Sequence, residues 1–403
     1  MSDASKLAAA LISEYNKRHL RRQTMYENQI KKLFDEYTDE LAKLGVKAGK
    51  GLGSEPFSFS RHPSSYTRLQ KILGAFKKQL LATVVNGVSE EWALANDKND
   101  KLADILFGAK RDKLTDDEKR RYYKNNDDAL AAFRQRVVKG LNLSDRVWKY
   151  TEQYKEEIEA GLDAGIRDGV SAARMATELK QYLHYPDKLF RRVRDEHGNL
   201  HLSRAARAFH PSTGVYRSSY KNALRLARTE TNIAYRTSDH LRYQQLDFVI
   251  GIEIHLSNNH TCLGRDGKPH PFYDICDELA GQYPKDFKFV GWHPQCRCFV
   301  TSILMNDDEV DAARAARKAG KPVPESKRTV KDVPDKFKKY IADHKATLDK
   351  AANKPYWLVD NYKYTGYGEP PKEDTRTKLL EAAERRHAAR TPEDIKRIQK
   401  EWD

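Results

Sequence analysis

The chain opens with apolar residues at steps of three and four. In NQIKKLFDEYTDELAKLG, Ile30, Leu33, Phe34, Tyr37, Leu41 and Leu44 fall on one face, the spacing of an amphipathic helix. Gly45 reads as its C-terminal stop. After the loop KAGKGLGSEPFSFSRHPSS, a second stripe runs from Tyr66 through Leu69, Ile72, Leu73, Phe76, Leu80, Val84 and Val88 to Trp92. ANDKNDKLADILFGAKRDKLTDDEKRRYYKNND is charged enough to read as a connector with short helices. A helix is expected over 127–139, stopping at Gly140. Val147, Thr151, Tyr154, Ile158, Leu162 and Ile166 form the next stripe, with Ser144 as its cap and Gly169 at its end. Ser171 caps a partner helix carrying Met175, Leu179 and Leu183. LFRRVRDEHGNLHLS alternates about a Gly-Asn turn and predicts a hairpin. SSYKNALRLARTETNIAYRTSDHLRYQQL is helical again. From Phe248 the pattern turns β-rich in three runs, FVIGIEIHLS, FKFVG and RCFVTSIL. Beyond about Asn306 charged helix returns, with a loop at AGKPVPESKRT, an amphipathic KFKKYIADHKATLDKAANK and a last helix starting at Thr391-Pro392. The pattern predicts a predominantly α-helical α+β chain: long N-terminal helices, a helical middle, a small cysteine-bearing β unit and a helical tail.

A length of 403 residues suggests two or three units. The pattern divides the chain into 1–142, 143–304 with the β unit over 247–304, and a charged tail over 305–403. Hydrophobic residues make up 39% against 33% charged, which points to extensive wetted helix surface and leaves no apolar run long enough for a membrane span. MSDASKLAAALISEYNKRHLRR lacks a basic segment before its apolar patch and does not read as a signal peptide. The cysteines are therefore expected in a reducing compartment. The net charge of +15 has two readings: a polyanionic partner, most simply nucleic acid, or Lys and Arg spread over solvated helices.

The four cysteines, Cys262, Cys276, Cys296 and Cys298, lie in one window together with His293 of GWHPQCRCFV. A tetrahedral zinc clasp takes four thiolate or imidazole ligands, and this set can supply them. The spacing, C-x13-C then C-x-C, is not the common C-x2-C knuckle. Buried free thiols and a disulfide stay open beside the clasp. A nucleophilic Cys296 with His293 as base lacks a recognisable acid or oxyanion loop. A His-Asn-His type nuclease using Asn258, His260, His270 or His293 lacks the hairpin-plus-helix unit that would carry its base. In ARTETNIAYR, Arg228 and Glu230 read either as surface charge or as a pair reaching from the helix to hold the β unit.

The succession ARTETNIAYR, GIEIHLS, TC, C-DELAG and HPQCRC resembles the phage Mu F-like minor head proteins, the phage head morphogenesis domain family, over residues 143–304. The matching positions are Arg228, Thr229, Glu230, Cys262, Cys276, Leu279, Gly281, His293, Pro294, Cys296 and Cys298. Family members commonly read TC-x2-C-x2-L-x-G, and this chain places LGRDGKPHPFYDI between Cys262 and Cys276. The resemblance implies a structural virion component and not an enzyme. It would be made in the host cytoplasm and enclosed in the head, associated with the portal protein, with capsid or scaffold proteins, and with double-stranded DNA without sequence preference. Its roles would lie in head morphogenesis, DNA packaging or ejection. One structural zinc is the expected cofactor and no membrane partner is expected. The alternative is an enzyme or toxin delivered with the DNA that uses the His/Cys cluster.

Overall fold

The computed structural model describes residues 3–49, 55–108, 114–186, 192–194, 200–202, 216–257, 261–263, 269–271 and 273–368. The chain divides into two compact units, residues 1–334 and 335–403, and it is a predominantly helical α+β protein. In the first unit, α1 (Asp3–Ala48) and α2 (Pro63–Phe107) are each rods of about 70 Å at 1.5 Å per residue. They are followed by α3 (Asp116–Tyr122), α4 (Asp127–Gln135), α5 (Leu143–Arg167), α6 (Ala172–His184) and α7 (Ser219–Gln245). The apolar stripes read from the sequence face one another. Phe34 of α1 meets Phe76 of α2, Tyr154 of α5 and Tyr220 of α7 edge-on, at centroid distances of 4.9, 5.0 and 5.4 Å. Four helices are thus pinned on one ring, in the geometry aromatic quadrupoles favour.

Three expectations about helix ends are corrected. Gly45 does not stop α1. The helix runs through it to Ala48 because Leu162 of α5 packs where a side chain would stand: a Cβ on Gly45 would lie 2.3 Å from Leu162 Cδ1. Asn142, not Ser144, caps α5, its side chain accepting from Asp145 N at 2.9 Å while Asp145 returns a bond to Asn142 N. The helix expected over 127–139 ends at Gln135. Lys139 and Gly140 then take positive φ in a tight turn closed by Val138 and Leu141. Ser171 caps α6 as read, and Gly169 sits just past α5 at φ +64°.

The first half of the charged stretch after Trp92 is not a connector, whereas its second half holds the short helix α3, as expected. The first half continues α2 to Phe107, and Asn96, Lys98 and Asn99 are buried against α7. Lys98 pairs with Asp239, Asn99 Nδ2 donates to Asp239 Oδ1 at 2.8 Å, and Arg242 reaches Asp100 at 2.7 Å. Buried charges are tolerated because each finds an opposite charge across the helix interface. Lys98 also lies over the rings of Tyr235 and Tyr243.

The β-rich region forms a three-stranded antiparallel sheet. β3 (Val249–His255) is central, between β6 (Gly281–Tyr283) and β7 (Phe299–Leu304), with Ile252 opposite Tyr283 and Ile254 opposite Val300. Val249, Ile250, Gly251 and Ile252 are all buried, so the first half of β3 is covered on both faces, and alternation begins only with Glu253, Ile254 and His255. Two small sheets stand apart from it: β1 (Arg192–Arg194) pairs with β2 (Leu200–Leu202), the predicted hairpin whose turn lies outside the described residues, and β4 (Thr261–Leu263) pairs with β5 (Pro269–Pro271). A five-residue helix, α8 (Ile275–Leu279), precedes β6, and α9 (Asp307–Lys318) follows β7. FKFVG, expected as a strand, is not one. Phe287 and Phe289 pack around Trp292 at 6.1 and 5.0 Å instead of joining the ladder.

The second unit holds α10 (Asp335–Lys350) and two single-turn helices, Tyr356–Val359 and Tyr362–Thr365. Its small core is Phe337, Leu348, Trp357 and Leu358, with Phe337 edge-on to Trp357 at 5.8 Å. The helix expected from Thr391 lies outside the described residues. Among the described residues no helix is long and apolar enough to cross a membrane.

Candidate metal centre

Cysteine and histidine side chains meet where α8 faces the loop between β6 and β7. α8 is short, so its start is held by side chains. Asp274 accepts from Cys276 N at 2.7 Å, and Asp277 accepts from Asp274 N at 2.8 Å in a capping box. That fixes Cys276 on the first turn. Across from it, Cys296 N donates to His293 O at 3.1 Å, closing a turn with Pro294 second and Gln295 third. Gln295 has φ +65°, so the pattern is that of a type II turn with glutamine where glycine is usual. The strained position is clamped through its side chain: Arg228 Nη1 donates to Gln295 Oε1 at 2.6 Å, and Gln295 Nε2 donates to Tyr216 OH at 3.0 Å. Gly291 is at φ +120°, and a Cβ there would lie 3.1 Å from Cys296 Cβ. Glycine at 291 therefore lets the loop close without strain.

The outcome is a compact donor set. Cys276 Sγ lies 3.2 Å from His293 Nε2 and 3.8 Å from Cys296 Sγ. The ligand atoms of Cys276, His293 and Cys296 all lie within 4.8 Å of one another and can hold a metal ion. Both thiols are buried, while the His293 side chain is 39% exposed. His293 Nδ1 is 2.9 Å from Pro294 O. A carbonyl can only accept, so Nδ1 carries the proton and Nε2 turns its lone pair toward the thiols. Asp274 Oδ2 stands 3.4 Å from the same Nε2. Zinc–thiolate bonds of about 2.3 Å in a tetrahedron set a sulfur–sulfur edge of about 3.8 Å, which the Cys276–Cys296 separation matches. The donor chemistry and spacing therefore fit zinc.

Cys298 is also buried, and Cys276, Cys296 and Cys298 are unbridged. The three thiols titrate as a set. Hydrogen bonds from Cys276 and Cys298 hold Cys296 well below the usual thiol range, with the Arg236 guanidinium adding positive potential. Its own hydrogen bonds with Cys296 and Cys298, and then burial, push Cys276 far up. For Cys298 the hydrogen bond with Cys276 pulls down, but Cys296 and burial outweigh it and leave the thiol at about 12. Cys296 is the first to become a thiolate, the form that binds metal.

α7 supports this loop from behind, through residues that sequence reasoning passed over. Asn232 Nδ2 donates to Cys296 O at 3.3 Å and to Val290 O at 3.5 Å. Its Oδ1 accepts from Arg236 Nε at 3.1 Å and faces His19 Nε2 at 3.2 Å. Arg236 Nη2 donates to Cys298 O, and its guanidinium lies over Phe289 at 5.0 Å. The available signal was the spacing of Arg228, Asn232 and Arg236 at i, i+4 and i+8, which puts three polar groups on one helix face.

The expected Arg228–Glu230 pair does not form. Arg228 bonds Glu27 of α1 and Gln295 of the cysteine loop. Glu230, one turn face away, accepts from Arg136 and Arg146 at 2.5 and 2.7 Å. Arg228 does reach the β region, whereas Glu230 ties α7 to α5 and to the chain before it. Thr229 is half-buried, and its hydroxyl has no partner among the described residues. Leu279 is fully buried and its carbonyl accepts from Tyr283 OH at 2.7 Å. Gly281 starts β6 at φ +144°. Pro294 is exposed at the turn. The backbone of Cys262 lies in β4, and its side chain is outside the described residues, as are Asn258 and His260. His270 is exposed on β5. Comparison of the chain with family models, with curated proteins and with solved structures gave no match.

Proposed function

We propose that this chain is a minor head protein of a tailed phage or prophage, built around a zinc-stapled module. It acts inside the head, on the portal and on packaged DNA, in head morphogenesis, packaging or ejection. The observation that carries the reading is the convergence of the motifs behind the Mu F-like resemblance. Arg228, Asn232 and Arg236 of ARTETNIAYR bond the HPQCRC loop, GIEIHLS is the central strand whose partner follows HPQCRC, and C-DELAG contributes the thiol facing His293. Segments far apart in sequence thus act as one module. The charge of +15 supports contacts to DNA phosphates whose affinity falls with salt.

In this reading Cys276, His293 and Cys296 hold the zinc and Cys298 completes the set. When bound, the ion supplies folding free energy to a small loop-rich region and no turnover. Arg236 balances thiolate charge from behind, and Asn232 fixes the backbone that carries Cys296. The cysteines are structural.

Metal analysis of protein purified without chelator tests the staple. About one zinc per chain is expected, lost in Cys296→Ser and Cys298→Ser and kept in Cys262→Ser. A metal-free protein whose thiols react only after denaturation would leave them as packing residues. Mass spectrometry of purified virions and procapsids, with a portal pull-down, tests the placement. Absence from both particles would sink the head-protein reading while leaving the zinc result standing.

A further inference from the structure

Behind the cysteine loop lies a cavity of about 190 Å³ between α1, α7 and residues 295–299. Its charge is lopsided. Lys17, Arg228, Arg236 and Arg297 line it, against one carboxylate, Glu27, and that carboxylate is already bonded to Arg228. Lys17 and Arg297 are exposed and form no ion pair among the described residues.

Arg236 is the informative member. It is 5% exposed, and no carboxylate pairs with it among the described residues. Nε and Nη2 are committed to Asn232 Oδ1 and Cys298 O. Nη1 has no hydrogen bond among the described residues, in a side chain that lines the cavity. A buried guanidinium with no carboxylate beside it favours nearby anions; the Cys296 thiolate takes that role toward the loop, and Nη1 is left for a second anion in the cavity. Asn16, also on the lining, has a buried Nδ2 with no acceptor. The wall is therefore rich in donors and cations, and its one carboxylate, Glu27, is taken by Arg228.

The geometry points to a binding site for a phosphoryl group. The donors come from three directions, α1, α7 and the loop, which suits a tetrahedral oxyanion with acceptor oxygens on every side. A planar carboxylate would engage one guanidinium fork and leave the others unmet. A phosphoryl dianion also answers the cation excess better than a monoanion. The phosphoryl group belongs either to a small molecule or to the end of a nucleic-acid strand. The cavity holds such a group and a small attached moiety, not a duplex. The site borders the zinc staple, since Cys296 lines it and Arg236 bonds Cys298 O.

Calorimetric titration of the full chain with inorganic phosphate, at physiological ionic strength, tests the assignment. Saturable binding is expected, weakened roughly tenfold in Arg297→Gln and in Lys17→Gln, exposed changes that leave the fold intact, and further in Arg236→Gln. Acetate and citrate titrations are the controls. A 5′-phosphorylated oligonucleotide is then compared with the same strand lacking the phosphate. Displacement of phosphate by the phosphorylated strand alone assigns the site to a strand end; displacement by neither assigns it to a small phosphorylated molecule. No saturable phosphate binding, equal affinity for acetate, or binding unchanged in Arg297→Gln and Lys17→Gln would overturn the proposal.

Discussion

Replacing Asn232 by alanine should loosen the cysteine loop and α1 together. The side chain is buried and makes four contacts: Arg236 Nε at 3.1 Å, His19 Nε2 at 3.2 Å, Cys296 O at 3.3 Å and Val290 O at 3.5 Å. Each buried polar group left without a partner costs about 1–3 kcal/mol. The Val290 contact is at the limit of bonding and counts little. The cavity that Asn232 lines can admit water to one or two of the others. The net cost is therefore about 3 kcal/mol, below the simple sum over the other three partners. Hydrogen exchange read by mass spectrometry suits the question, because two compact units need not unfold as one transition. If opening is local, peptides covering 228–240 and 290–300 should each lose protection by roughly a hundredfold, at about 1.4 kcal/mol per tenfold. Asn232→Asp keeps the acceptor toward His19 and Arg236 but loses both donors, so it should spare α1 and release the Cys296 side. Protection within about threefold of wild type in both peptides of the alanine variant would refute the reasoning.

Glu230→Ala leaves Arg136 and Arg146 facing each other without their carboxylate. The two arginines are only partly buried and can rehydrate, so the expected loss is about 2–4 kcal/mol, seen as a lowered thermal midpoint. Gly291→Ala forces a Cβ to 3.1 Å from Cys296 Cβ at φ +120°; about 1–3 kcal/mol is expected, with faster loss of metal to a chelator. Glu157 is buried and accepts from Ser219 N at 2.8 Å, and burial pushes its carboxyl up from 4.5 to about 8. A raised folded-state value means the stabilisation is full below about pH 4.5 and is lost as pH climbs through about 8. Glu157→Gln should therefore flatten the stability–pH curve across that window, where the wild type loses up to about 1.4 kcal/mol per pH unit; an unchanged slope would count against the assignment.

Most of the helical architecture was legible because amphipathic stripes advertise a buried face whatever covers it. Phe34, Phe76 and Tyr154 lie on those stripes, and they meet. The cysteine cluster was legible because its members sit close in sequence. Buried polar contacts between distant helices were not. Lys98, Asn99 and Asp100 look like solvated charge until Asp239 and Arg242 arrive opposite them, and nothing local encodes that pairing. Asn232 and Arg236 escaped notice for the same reason. Gly45 misled because glycine serves both to end helices and to let them approach, and only Leu162 decides between these. FKFVG alternates like a strand, but the aromatic cluster around Trp292 takes its side chains.

The contacts of α1 impose an order on biosynthesis. His19, Gln23 and Glu27 find their partners in Asn232, Thr231 and Arg228, all on a helix the ribosome makes some two hundred residues later. At about 5–20 residues per second, roughly 10–40 s separate the emergence of the first helix from that of its polar partners. During that interval α1 and α2 can pair along their apolar stripes, but the face meant for α7 stays open to water and to other nascent chains. Polysomes crowd several such half-finished chains together, so the interval is a window for mispairing between neighbours and for capture by chaperones. A transcript truncated before codon 216 would leave a protein permanently in that state, with its two longest helices made and the element that joins them missing.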